Sequence, residues 1–214
     1  MGFVRKVYGI LSVQLLVTAF ITMLPFTSDG VREFVQTNQP VAILAIIINV
    51  VVLIVLSCNI EQARTVPNNY ILLFTFTIAE AYTVAVICSE FDPDVVIAAV
   101  FMTAGVTSAL TIYAWTARTD FTIFGGMIVV VGMAFCMAGL FLILLQGDTL
   151  NMIFCALGVI LYGLYLIIDT QMIIGDRGYK ITEDDYVIAA LILYLDIIMM
   201  FIYILRIIDR MKNK

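Results

Sequence analysis

The chain has 214 residues, 63% of them hydrophobic and 13% charged, with a mean hydropathy of +1.10. A soluble domain carries about 25% charged residues, so this composition excludes a water-solvated core and requires lipid as the main solvent. A net charge of −5 argues against nucleic acid as a partner, and the absence of histidine removes His-based triads, H-E-x-x-H zinc sites and His-ligated haem.

Seven apolar segments follow one another at roughly 7–25, 41–58, 69–89, 95–114, 121–145, 151–174 and 186–208. Each is long enough to cross about 30 Å of hydrocarbon at a helical rise of about 1.5 Å per residue. The linkers are too short to hold a folded domain. The expectation is an all-α integral membrane protein of seven transmembrane helices, with residues 1–214 forming one domain. The first segment begins at Val7 and already reaches spanning length, so it reads as a retained helix rather than a cleaved signal. Cys58, Cys88, Cys136 and Cys155 each lie within or at the edge of an apolar run, without the spacing of a disulfide framework or a zinc site.

Orientation follows from Lys and Arg. With the N-terminus in the cytosol, that side holds Arg5, Lys6, Arg64, Arg118, Arg177 and Lys180, against Arg32 alone opposite. The tail runs against this count, because Arg206, Arg210, Lys212 and Lys214 then fall on the far side. A re-entrant or broken last helix would resolve the conflict in the other sense; the expectation kept is a cytosolic N-terminus with seven spans, and the side of the C-terminus stays open.

In chain order, Arg64 follows the second segment and is either a positive-inside anchor or a partner for a buried acid. Glu80, in "FTIAEAYTVAV", is an acid inside the third segment, with a packing role or a place on an ion path. Glu90, Asp92 and Asp94 form an acidic cluster after it, with no basic residue nearby in sequence. Small residues line one face of the fourth segment (Ala98, Gly105, Ala109) and of the fifth (Gly125, Gly132, Gly139), where they let membrane helices approach closely.

Asp169 lies in "LYLIIDTQMII" near the end of the sixth segment, and Asp196 in "LYLDIIMMFIYIL" in the first half of the seventh. A carboxylate inside an apolar span costs about 2.5–3.5 kcal/mol on insertion scales, which makes it a candidate functional group. An eleven-residue loop joins the two segments, so they are antiparallel neighbours with both acids towards one membrane face. Asp169 sits about 8 Å inside its segment end and Asp196 about 15 Å inside its own, a mismatch that tilt or boundary shifts would have to close. If the two meet, they share one proton and titrate as a unit: protonated, the pair pins helix six to helix seven, and deprotonated it repels itself and attracts cations. The structural alternative is that each acid bonds a neighbouring helix. The connecting loop "GDRGYKITEDDY" carries Asp176, Glu183, Asp184 and Asp185 against Arg177 and Lys180. Thr182 and Asp185 fit a helix-capping start, and the same acids could form a cation-concentrating mouth. The spacing is not that of an EF-hand.

Several classes fall away. An intramembrane aspartyl protease needs G-x-G-D, whereas Asp196 follows Leu-Tyr-Leu. A retinal protein needs a lysine in its last helix, and a G-protein-coupled receptor longer loops and tail. Secondary transporters carry broken helices and repeats, neither of which stands out.

The stretch "DTQMIIG…ITEDDYVIAALILYLDIIMMFIYILR" resembles the C-terminal signature of the transmembrane BAX inhibitor motif (Lifeguard) family. The start, "FVRKVYGILSVQLLVTAF", looks like the first helix of its Lifeguard branch, and "FTIAEAYTVAV" is most similar to the Golgi anti-apoptotic protein subgroup. The resemblance implies a seven-helix fold with the last helix central. It also implies a pH-sensitive Ca²⁺ leak across a Golgi or endoplasmic reticulum membrane, and suppression of cell death through lower store calcium, with no enzymatic step. It places the gating pair, with transient Ca²⁺ contact, on Asp169 and Asp196, ion passage on Asp184, and a latch on a basic residue after helix two, for which Arg64 is the nearest match. Glu183, Asp185 and Glu80 complete the candidate ion path. No cofactor is expected; the bilayer, Ca²⁺ and protons are the expected partners. Two other readings remain beside the leak: a non-conducting protein that restrains death signalling through other membrane proteins, and a proton-coupled cation exchanger.

Overall fold

The structure is a computed structural model and describes residues 2–145, 147–175 and 183–213. The described residues form helices α1 (Gly2–Met23), α2 (Asp29–Thr37), α3 (Gln39–Cys58), α4 (Ile60–Arg64), α5 (Asn68–Ser89), α6 (Pro93–Thr116), α7 (Gly125–Leu145), α8 (Asp148–Ile174) and α9 (Tyr186–Lys212), the long ones being apolar runs bounded by Pro, Gly, Asn and charged residues. Short 3₁₀ turns at Leu24–Phe26, Phe121–Phe124 and Glu183–Asp185 adjoin α1, α7 and α9. Seven of these helices are long and apolar enough to cross a membrane, and they match the seven expected segments to within a few residues at each end. Both α8 and α9 run 27 residues, about 40 Å, without a break, so α9 is not re-entrant. The two short helices, α2 and α4, escape a hydropathy reading because neither carries an apolar run: α2 reads DGVREFVQT and α4 IEQAR.

Burial separates the helices. The apolar window of α9 is 72% buried, against 11–44% in the other six spans. Many large apolar side chains lie outside, among them Leu16, Phe20, Phe101, Val130 and Met133. That is the surface of a protein in contact with a lipid bilayer.

The chain forms two compact units, residues 1–93 with 182–194, and 94–181 with 195–214. In the first, α5 is the hub, packed by α1 and α3. Its interior holds Leu73, Phe76, Ala81, Val84 and Cys88, with Tyr194 edge-on to Phe76 at 6.3 Å. Polar side chains stitch this unit: Gln14 Nε2 donates to Thr77 Oγ1 at 3.0 Å, and the Thr18 and Tyr194 hydroxyls lie 2.8 Å apart. Arg32 and Gln36 both donate to the Ser89 carbonyl, closing the C-terminal end of α5. A cation there meets the negative end of the helix dipole. The acidic stretch at Glu90 and Asp92 therefore has a basic neighbour after all, supplied by α2 and invisible in the local sequence.

In the second unit, Phe135 of α7 stacks on Phe154 of α8 at 4.1 Å, and both meet Tyr203 of α9 near a right angle. Asp148 meets Arg210, Gly158 meets Tyr203 and Asp169 meets Asp196, so α8 and α9 run antiparallel as expected. The glycine stripe on α7 is used at two of its three positions. Gly132 leaves room for the Tyr165 hydroxyl, which donates to the Ile128 carbonyl at 3.0 Å, Gly139 lies under the Phe154 ring, and Gly125 has nothing within 4 Å. On α6 the expected close approach at Gly105 is absent: it faces open space, and Ala109 is exposed. The contact comes from α8, whose Gly163 receives Leu110.

Candidate functional site

Asp169 sits in the penultimate turn of α8, five residues before Ile174. The helix then stops at Gly175, whose φ of 75° gives the left-handed cap that glycine adopts without strain. Asp196 sits ten residues into α9. The two carboxyls come within hydrogen-bonding reach of each other. Helix geometry explains how the depth mismatch closes. Side chains lean towards the N-terminus of their own helix, so in an antiparallel pair Asp169 leans deeper and Asp196 leans shallower.

The pair is secluded. Asp169 is 7% exposed and Asp196 6%, and Asp196 Oδ2 finds no donor among the described residues. Within the second unit no described Lys or Arg stands against either carboxyl, and the charge neighbours are the phenols Tyr162 and Tyr165. Two full charges at carboxyl contact repel by about 4 kcal/mol at an effective dielectric of 20. A single shared proton removes that repulsion and supplies the one donor that lets two acceptors bond. As a metal site the pair is incomplete, since Ca²⁺ takes 6–8 oxygens. Among the described residues no group of three or more His, Cys, Asp or Glu gathers to hold an ion.

The remaining expected residues are dispersed. Glu80 is half-buried on α5, and its Oε2 accepts from Asn49 Nδ2 of α3 at 2.6 Å. Arg64, at the end of α4, forks onto Asp185: Nε to Oδ1 at 2.7 Å and Nη2 to Oδ2 at 2.9 Å. Its guanidinium, read from the sequence as a possible partner of Asp169, is thus taken up by the 3₁₀ turn before α9. The hydrogen bond that Arg64 donates to Asp185 is the largest influence and raises the Arg64 pKa above its ordinary value; burial opposes it, and the charges of Asp185 and Asp184 add to the rise. Asp184 is exposed beside this fork. The side chain of Glu183, and the acidic-loop residues Asp176, Arg177, Lys180 and Thr182 with the expected cap at Thr182, lie outside the described residues.

A profile of the family described as inhibitor of apoptosis-promoting Bax1 matches residues 1–214. The chain belongs to this family. Its members are anti-apoptotic BAX-inhibitor and lifeguard membrane proteins. Among curated relatives, Protein lifeguard 3 of Homo sapiens is 35% identical over 208 residues, covering 95% of this chain and 67% of its own length. Protein lifeguard 3 of Mus musculus is 33% identical over 211 residues, covering 97% and 68%. Protein lifeguard 4 of Mus musculus is 30% identical over 214 residues, covering 100% and 87%.

In this member of the BAX-inhibitor family, several polar side chains that position the site carry no sequence motif. Gln171, two residues after Asp169, accepts from the Phe121 amide at 2.9 Å and donates to the Thr119 carbonyl at 3.0 Å, which ties the α6–α7 connection to the Asp169 end of α8. Asn69 donates to the Tyr186 hydroxyl at 2.9 Å, and the Lys6 ammonium lies 3.2 Å from the Tyr186 ring centroid, fixing the first residue of α9. The only signal for Gln14, Asn49 and Gln171 is an amide inside an apolar run, where an unsatisfied polar group is expensive.

Proposed function

We propose that the chain is a pH-sensitive Ca²⁺ leak of an intracellular membrane, Golgi or endoplasmic reticulum. In this reading it lowers store calcium and so restrains cell death, with the Asp169–Asp196 pair as its proton-sensitive element. The observation that carries this reading is the meeting of two buried carboxyls on antiparallel membrane helices, with no Lys or Arg against them among the described residues. With one proton shared, the pair is a bond between α8 and α9. Once the proton leaves, the same atoms carry two negative charges, push the helices apart and attract a cation. Two carboxylates satisfy only a fraction of the Ca²⁺ shell, which suits passage rather than storage.

The other acids fit an ion path. In sequence Glu183, Asp184 and Asp185 follow one another as candidates for its acidic mouth, and the Arg64–Asp185 fork holds Asp185 partly neutralised. Release of Arg64 would expose the carboxylate. Glu80, held by Asn49, is a further acid at membrane depth. Purified protein in liposomes loaded with a calcium dye tests the reading. Flux above protein-free liposomes, varying with pH, supports the leak. No flux at any pH favours a non-conducting protein that acts through partners, and calcium movement matched by opposite proton flux favours an exchanger.

A further inference from the structure

Four of the eleven basic residues crowd the last nine positions of the chain, where they contradict the positive-inside count made from the loops. Arg206 and Arg210 stand one turn apart on one face of α9. Because α8 and α9 are antiparallel, this end of α9 lies beside the start of α8. A cavity of about 370 Å³ opens there, lined by Arg206, Arg210, Asp148, Asn151, Phe154 and Leu142 among others. That is within the usual size range of small-ligand pockets.

The two arginines differ. Arg210 Nη1 donates to the Asp148 carbonyl at 2.7 Å and lies 3.5 Å from Asp148 Oδ1, so it joins the two helix ends. Arg206 lines the cavity and makes no hydrogen bond or ion pair among the described residues; the Asn151 amide group is likewise without a partner there. The Asp148 carboxylate is 99% exposed and lies beside Arg210, one acid against the two arginines of the cavity. The N-cap of α8 is Gly147, which has no side chain to satisfy the first-turn N–H groups. An exposed guanidinium from Arg206, the Asn151 amide and the first turn of α8 thus border one cavity, whose apolar wall comes from Phe154 and Leu142.

We propose that this cavity binds a phosphate group, supplied by an acidic phospholipid whose chains lie along the apolar wall or by phosphate in solution. Fork-shaped donors suit phosphate oxygens, and the helix end adds favourable potential. This gives Arg206 and Arg210 of the basic tail a ligand role, independently of the calcium reading. An interfacial arginine that merely reaches for water needs only its charge, and lysine would replace it.

The full-length chain, wild type and with Arg206→Lys or Asn151→Ala, is reconstituted in phosphatidylcholine vesicles, in phosphatidylcholine with phosphatidic acid, and in phosphatidylcholine with inorganic phosphate against chloride at equal ionic strength. Thermal unfolding is followed in each. Phosphatidic acid is expected to raise the wild-type Tm by several degrees. Both variants should lose most of that rise, with binding weakened about tenfold, while matching the wild-type Tm in phosphatidylcholine alone. A rise with inorganic phosphate alone, equally sensitive to both variants, supports the site with a soluble ligand. If one variant does not fold, the other decides. A full rise retained in the variants, or no rise with either anion in the wild type, overturns the proposal.

Discussion

Replacing Tyr194 by Phe isolates one hydrogen bond in the first unit. Thr18 has a single hydroxyl proton, and its Oγ1 lies 2.8 Å from the Gln14 carbonyl, which can only accept. In the Thr18–Tyr194 contact, also 2.8 Å, the phenol must therefore be the donor. Tyr194→Phe removes that donor, leaves Thr18 its own bond, and keeps the ring edge-on to Phe76. The expected loss is about 0.6 kcal/mol and at most about 1.7, the range of side-chain bonds between membrane helices. Thr18→Val instead strands the hydroxyl of a fully buried tyrosine, a loss of about 1–3 kcal/mol. In the double variant no group is stranded, so its cost falls below the sum by about 0.6–1.7 kcal/mol. Tyr194→Ala, which empties the space beside Phe76, should cost about 3–5 kcal/mol. Equilibrium unfolding in mixed micelles with rising sodium dodecyl sulfate measures all four. Additive single costs, within about 0.3 kcal/mol, or a Phe variant as unstable as the Ala variant, would refute the donor assignment.

Gly158→Ala should destabilise despite removing a helical glycine. A Cβ there meets Tyr203 Cδ2 at 2.7 Å and Cγ at 2.8 Å, in a ring held by Phe135, Phe154 and Tyr162. Overpacking of about 1–3 kcal/mol outweighs a propensity gain of about 1 kcal/mol. Gly105→Ala, with nothing within 4 Å, should keep the gain, and the two Tm shifts should have opposite signs. Asn49→Leu strands Glu80 Oε2 and should cost about 1–3 kcal/mol in the same unfolding assay, while Asn49→Leu with Glu80→Leu should lie closer to wild type. Arg64 has its pKa raised, so its share in the Asp185 fork is complete below the ordinary arginine range and is lost only as pH rises beyond it. Arg64→Gln should accordingly change liposome flux by the same factor at every physiological pH, without moving the midpoint of the pH profile.

The seven spans were legible because lipid demands about 20 apolar residues per crossing, a signal that dominates any window of this sequence. Helices α2 and α4 were not, since a nine-residue and a five-residue helix without an apolar run look like linker. The carboxyl pair was legible as two expensive acids in neighbouring helices. Its register was not, because depth counted along the backbone ignores the opposite lean of side chains on antiparallel helices. The partners of Glu80 and Arg64 come from Asn49 and Asp185, 31 and 121 residues away, and no local pattern encodes such distances. Small residues marked helix approaches at Gly132 and Gly139 but misled at Gly105, because a glycine permits close packing without requiring it.

The account rests on a proton shared between Asp169 and Asp196. The pH profile of calcium flux through purified protein in liposomes, wild type against Asp196→Asn and Asp169→Asn, tests it most directly. An amide keeps the size and can still bond its partner, but the pair no longer has a proton to share. The account predicts flux that varies with pH in the wild type and a flattened profile in both variants. An unchanged profile in either folded variant would contradict it.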